Sequence, residues 1–244
     1  MSGHSKWANI KRKKEKTDAA RGNVFTKIGR EIAVAVKLGG SDPNNNSKLA
    51  DVIAKAKANN MPNDNIQRSI KKAAGELGNI NYESMTYEGY GIGGSAVIVE
   101  CLTDNNNRTA GDVRSYFTKY GGSLGTTNCV SFMFDRKGII LCERVSTMSE
   151  DAVFELAINA GADDVTVEEE VFEVYTSPTD LNAVKEELVN SGVTIMSAQA
   201  EWLPQNLVSL TEEQLVKFNK MIDMFEENDD VQNVYHNVDL PSED

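Results

Sequence analysis

The residues with the clearest chemical character lie near the start of the chain: Lys6, the run Lys11-Arg12-Lys13-Lys14, then Arg21, Lys27 and Arg30. Ammonium and guanidinium groups spread over an arm and the helix behind it suit backbone phosphates. Contacts of that kind position a polyanion without reading its sequence. The wider charge distribution agrees. Residues 1–75 carry 16 Lys+Arg against 6 Asp+Glu, a balance of +10, whereas residues 76–244 carry 9 against 31, a balance of −22. The overall −12 therefore hides a divided chain that presents one basic end to a polyanion and holds the rest away. A solvated tail without a partner is the plainer reading, but most of these cations sit among segments with helical periodicity. Base reading would need Asn, Gln or Arg at one exposed helix start, and no compelling helix-turn-helix pair is legible. Nucleic-acid affinity is thus better supported than sequence specificity.

Other candidate chemistry weighs less. Gly91-Ile92-Gly93-Gly94-Ser95-Ala96 fits GxGxxA, yet a dinucleotide fingerprint follows a strand and opens a helix. Here a strand follows the glycines, so a turn is expected. Asn105-Asn106-Asn107-Arg108-Thr109 reads first as a helix cap, with Arg108 as a phosphate fork in the second place. The two histidines, His4 and His236, lie in an arm and an acidic tail, which gives no support to general-base catalysis. The three cysteines form no CxxC pair and lie in apolar runs. The carboxylates of 150–187 read as solvated faces. The expectation is a protein that is not an enzyme, with no catalytic residues, no cofactor and no metal. Without a run of about 18 apolar residues or a signal-like start, a reduced, cytoplasmic protein off the membrane is expected.

Three helices should carry the basic residues. Phe25, Ile28, Ile32 and Ala35 make one apolar stripe between Val24 and Leu38, ended by Gly39-Gly40. A second helix follows Ser47 as its cap, with Leu49, Val52, Ile53, Ala56 and Asn60 in period and Lys48, Lys55 and Lys57 outward. A third opens near Pro62, with Ile66, Ile70 and Ala73 inward and Arg68, Lys71 and Lys72 outward. From Tyr82 the pattern turns to strands with helices: strands at 96–102 and 130–134 around a helix bearing Val113, Tyr116, Phe117 and Tyr120, then a turn at 135–138. The segment that follows reads strand 139–143, helix 150–160, strands 164–169 and 172–176, helix 178–190, strand 193–202. That is the split β-α-β-β-α-β order of a ferredoxin-like unit. Thr211 opens a capping box before a final helix, and a short strand at 231–235 ends the fold. The fold class is α+β, with an N-terminal basic helical domain followed by two ferredoxin-like domains, one inserted in the other. The expected boundaries are 1–80, 81–134 plus 205–240, and the insertion 135–204.

The sequence resembles the YebC family, whose eukaryotic relatives include a mitochondrial translational activator of cytochrome c oxidase. The resemblance covers essentially the whole chain. It is most specific in Gly3-His4-Ser5-Lys6-Trp7-Ala8-Asn9-Ile10-Lys11, Phe25-Thr26-Lys27-Ile28-Gly29-Arg30-Glu31-Ile32, Ala56-Lys57-Ala58-Asn59-Asn60-Met61-Pro62 with Asp64-Asn65-Ile66, and Tyr87-Glu88-Gly89-Tyr90-Gly91. Leu102-Thr103-Asp104-Asn105 and Asn107-Arg108-Thr109 also fit. Ile92 stands where the family usually has proline, and Asn128-Cys129 where Gly-Ser is common. The resemblance implies a three-domain α and α+β fold, a cytoplasmic location and no enzymatic activity. It implies a DNA-binding transcriptional regulator or, alternatively, a ribosome-associated translation factor on rRNA or tRNA. A nucleotide-dependent enzyme is a distant third reading.

Overall fold

The computed structural model describes residues 19–75, 81–145 and 148–240. Their contacts form two compact units: residues 134–205 with 239–240, and the N-terminal helices together with 81–133 and 206–238.

Helix α1 (Ala19–Gly39) buries Ile28, Ile32, Ala35 and Val36 along one stripe. Gly40, at φ +85°, ends it and returns its N–H to Val36 O at 2.8 Å. Helix α2 (Ser47–Ala58) is capped by Asn46 rather than Ser47. The Asn46 amide wins because one side chain meets three needs: it accepts from Leu49 N and donates to the carbonyls of Ala35 and Gly40. Helix α3 (Asn63–Gly75) starts just after Pro62 and packs Ile66 and Ile70 against α1 and α2. Asn60, expected inside the second helix, lies in the turn instead at φ +57°. The following Met61-Pro62 pair cannot continue the helix.

Strands β1 (Glu83–Tyr90) and β2 (Ala96–Thr103) form a hairpin, followed by helix α4 (Asn106–Lys119) and the short β3 (Ser123–Leu124). The 134–205 unit then supplies β4 (Phe134–Glu143), α5 (Glu150–Asn159), β5 (Asp164–Val167), β6 (Val171–Thr176), α6 (Leu181–Asn190) and β7 (Ile195–Pro204). Its antiparallel order β5-β6-β4-β7 is that of a ferredoxin-like sheet. Ile140, Cys142, Phe172 and Val174 meet Val153, Ala157, Val184 and Leu188 of the two helices. Local expectations are corrected in two places. Residues 130–133, expected as strand, are a bend and a short 3-10 turn (Ser131–Met133), and the strand runs unbroken over 134–143 through the expected turn at 135–138, where Arg136 lies over Trp202 across the ladder and Lys137 pairs with Asp163. The turn at 177–180 belongs to the loop, so the helix begins at Leu181, three residues after Pro178.

The chain returns through α7 (Glu212–Glu227), whose Thr211–Gln214 capping box is complete, into β8 (Val231–His236). The first sheet has the order β3-β1-β2-β8, all antiparallel. Taken from β2, the path β2-α4-β3, then β1, then α7-β8 reproduces the ferredoxin-like strand order with its third strand supplied from the front of the chain. Phe117, Phe218, Met221 and Phe225 are buried, as are Ala96–Val99 of β2, and Phe117 meets Phe225 edge-on in this core.

Candidate nucleic-acid interface

The helical bundle and the first sheet meet along one flank of α1, and two of the cations expected to contact phosphate are used there. Helix α7 ends at Glu227 with carbonyls that its own backbone cannot satisfy. Lys27 Nζ donates to Glu226 O at 2.6 Å, and Asn23 Nδ2 donates to Glu227 O at 2.7 Å. A lysine ammonium at a helix C-terminus also opposes the negative end of the dipole. One turn further, Arg30 ion-pairs with Asp230, donates to Leu102 O at 2.9 Å and lies over the Tyr82 ring.

Asp230 is the hub of this corner. Its side chain is only 4% exposed, and besides Arg30 it accepts from Thr109 Oγ1 at 2.7 Å and Arg108 Nη2 at 2.9 Å. Burial alone would raise this carboxyl, but the hydrogen bonds from Arg30, Thr109 and Arg108 outweigh it and hold the group below the ordinary carboxylate range. Arg108 bridges Asp230 and Asp104, which raises its own pKa further. Asn105 caps α4 by accepting from Arg108 N at 3.1 Å. The capping reading of that motif is therefore met, and the Arg108 guanidinium is held by carboxylates. The open depression around it is lined by Asp104, Asp112, Glu227, Asp229 and Asp230 against Arg30 and Arg108, a surface that repels phosphate.

Lys6, Lys11, Arg12, Lys13 and Lys14 lie outside the described residues, as does the side chain of Arg21. Lys37, exposed on α1, donates to Asn81 Oδ1 at 2.8 Å; the other exposed cations of the described bundle are on α2 and α3: Lys48, Lys57, Arg68, Lys71 and Lys72. None of these five side chains makes an ion pair or hydrogen bond with another described residue. Arg68, Lys71 and Lys72 stand at i, i+3 and i+4, on the face of α3 opposite Ile66 and Ile70. Lys55, by contrast, pairs with Glu31 at 2.7 Å.

The remaining candidate motifs are structural. Gly91–Ser95 turns the chain between β1 and β2, with Gly93 at φ +69° and Gly94 at +76°. Only a single 3-10 turn (Ile92–Gly94) lies there, and a strand rather than an α-helix follows the glycines, so no α-helix N-terminus is presented to a pyrophosphate. Burial pushes the Cys101 and Cys142 thiols up to about 12, the reverse of what a nucleophilic thiolate requires. Glu88, which sequence reasoning did not single out for a role, is a buried anchor. It accepts N–H groups from Asn128, Val130 and Ser131 at 2.8–2.9 Å. Among the described residues no helix is long and apolar enough to cross a membrane.

Comparison with known proteins places these features in a family context. Residues 5–76 match the TACO1/YebC protein N-terminal domain, and residues 82–238 match the TACO1/YebC second and third domain. A protein of Acetivibrio thermocellus named "Probable transcriptional regulatory protein" is 60% identical over 97% of this chain and 98% of its own length. A probable transcriptional regulatory protein of Thermoanaerobacter pseudethanolicus is 55% identical over 100% of this chain and 99% of its own. The crystal structure of a conserved hypothetical protein from Aquifex aeolicus superposes with a TM-score of 0.80 at 48% identity, covering 93% of this chain and 94% of that one.

Proposed function

Since the chain belongs to the TACO1/YebC family, we propose that it is a non-enzymatic, cytoplasmic regulator of gene expression that binds nucleic acid through its basic N-terminal region. The observation that carries this reading is the set of exposed cations on α2 and α3 that pair with no other described residue, continuous in sequence with the arm bearing Lys6 and Lys11 to Lys14. The arm and these two helices supply the phosphate contacts. Lys27 and Arg30 hold the bundle in place beneath them. The −22 remainder acts as a repulsive body that limits which face approaches a polyanion. The relatives' names favour transcriptional control on DNA.

Translation is the second reading, favoured by one feature: 12 of the 16 cations in residues 1–75 are lysine, point charges that serve ribosomal RNA as well as DNA. Salt titration of binding tests the common part. Replacing Lys11, Arg12, Lys13 and Lys14 together by Ala should flatten the slope of log affinity against log salt by about three to four units. An unchanged slope would remove the arm from the interface. Cosedimentation with ribosomes at low salt, lost on truncation before Gly22, would favour the translation reading. Salt-resistant selection of one promoter without cosedimentation would favour transcription.

A further inference from the structure

The bundle contains a feature that its sequence conceals. Helices α2 and α3 are separated by only four residues, 59–62, and each packs along α1, yet they touch one another little beyond the turn. Two helices folded back as a hairpin would meet along their length, so these diverge. The turn has the chemistry such a corner needs. Asn60 takes the left-handed conformation at φ +57°, Met61 is buried, and Pro62 O accepts the N–H groups of Asn65 and Ile66 as α3 begins. A third helix locks both, through Ile28, Ile32, Leu49, Val52, Ile66 and Ile70.

We infer that α2–turn–α3 is a helix-turn-helix whose second helix enters the major groove of B-form DNA, with Arg68 reading guanine. The inference rests on the nucleic-acid reading above and narrows it to one helix, one groove and one side chain. The solvent face of α3 carries Asp64, Arg68, Lys71 and Lys72, all exposed. Its 13 residues make a rod about 20 Å long and 10–12 Å across, matched to a major groove about 12 Å wide. The order of charge along that rod sets its direction. Asp64 lies in the first turn, where a phosphate would be repelled but a cytosine amino group would be accepted. Arg68 comes one turn later, where its planar fork matches O6 and N7 of guanine. Lys71 and Lys72 diverge to either side one turn further, towards the two flanking backbones. A recognition helix contacts bases with its N-terminal residues in this way. The deep, narrow major groove of A-form RNA excludes such a helix.

The test uses the full chain and a pool of short DNA duplexes with a randomised centre, sequenced after selection, with binding also measured to an RNA duplex. Wild-type protein should enrich a guanine-containing core by about tenfold over random duplex and should prefer DNA to duplex RNA. Arg68→Lys keeps the charge and loses the fork, so enrichment should vanish while the salt slope stays. Lys71→Ala and Lys72→Ala should each lower affinity for all duplexes alike and reduce the slope by about one. Enrichment unchanged by Arg68→Lys, or RNA duplex bound as well as DNA, would overturn this inference but leave the nucleic-acid reading standing. Absence of binding to either duplex at low salt would overturn both.

Discussion

Removing the Asp230 carboxylate should cost more stability than any other single change at the corner joining the bundle to the first sheet. In Asp230→Ala the Arg30 guanidinium, with its side chain 14% exposed, keeps only Leu102 O and the face of Tyr82. Thr109 Oγ1 loses its 2.7 Å acceptor, though it retains Thr103 Oγ1 and the carbonyl of Asn105. Arg108 is 45% exposed and retains Asp104, so its loss is small, within about 1 kcal/mol. The cost is dominated by Arg30: stranding one partner of a buried pair costs about 3–5 kcal/mol. That is a large fraction of the roughly 5–15 kcal/mol by which domains are stable. Urea unfolding followed by far-UV circular dichroism measures it, and Arg30→Met combined with Asp230→Leu supplies the control. Replacing both charges by apolar groups should recover most of the loss. Acid titration gives the sign independently. The folded carboxyl lies below its ordinary value, so its contribution is complete above the unfolded pKa of about 3.9 and fades as pH falls through the folded one. Asp230→Ala should flatten that acid limb. A loss below about 1 kcal/mol, or a double variant no better than the single, would refute the role of the pair in joining bundle and sheet.

Two further outcomes follow from buried or strained groups. Glu88→Gln should cost about 2 kcal/mol in urea unfolding, because an amide cannot accept all three N–H groups that the carboxylate now holds. The desolvation that would raise this carboxyl is outweighed by those N–H groups, so its contribution should also fade below about pH 4.3 and disappear from the variant's acid profile. Gly93→Ala should cost at least about 1–2 kcal/mol, since Gly93 has φ +69° and a Cβ there would come within 2.5 Å of Leu210. Calorimetry of the wild-type protein with ATP or NAD should show no binding at that turn, and micromolar binding would reinstate the nucleotide reading.

Much of the fold was legible because it rests on short-range rules. The Phe25–Ile28–Ile32–Ala35 stripe, the Thr211 capping box and the strand-helix order of 139–202 each follow from spacing along the chain. The expectation that a late helix and strand complete the first sheet came from counting elements. The sheet order β3-β1-β2-β8 is a long-range pairing that no local pattern carries. One local misreading had a signal nearby. Asn60 precedes Met61-Pro62, and asparagine is the residue after glycine that best tolerates a left-handed turn.

The candidate site was harder to read, for a reason visible in α1. Helical periodicity separates the stripe facing one core from everything else, and it assigns Lys27 and Arg30 to the remainder. A helix that touches two bodies has a second buried flank, and cations on that flank look the same in sequence as cations facing solvent. What distinguishes them is the partner: Asp230 and the carbonyl end of α7 lie about 200 residues away, beyond any window of spacing. On α2 and α3 no described residue pairs with Lys48, Lys57, Arg68, Lys71 or Lys72, and all five are exposed, as the outward reading expects. The corner held by Asp230 and the exposed face of α3 therefore divide the bundle's cations between two tasks, one holding the bundle and the other presenting it. A variant at Asp230 that leaves the bundle folded should change where that face points without changing its charge, and the intrinsic salt slope of binding should survive it.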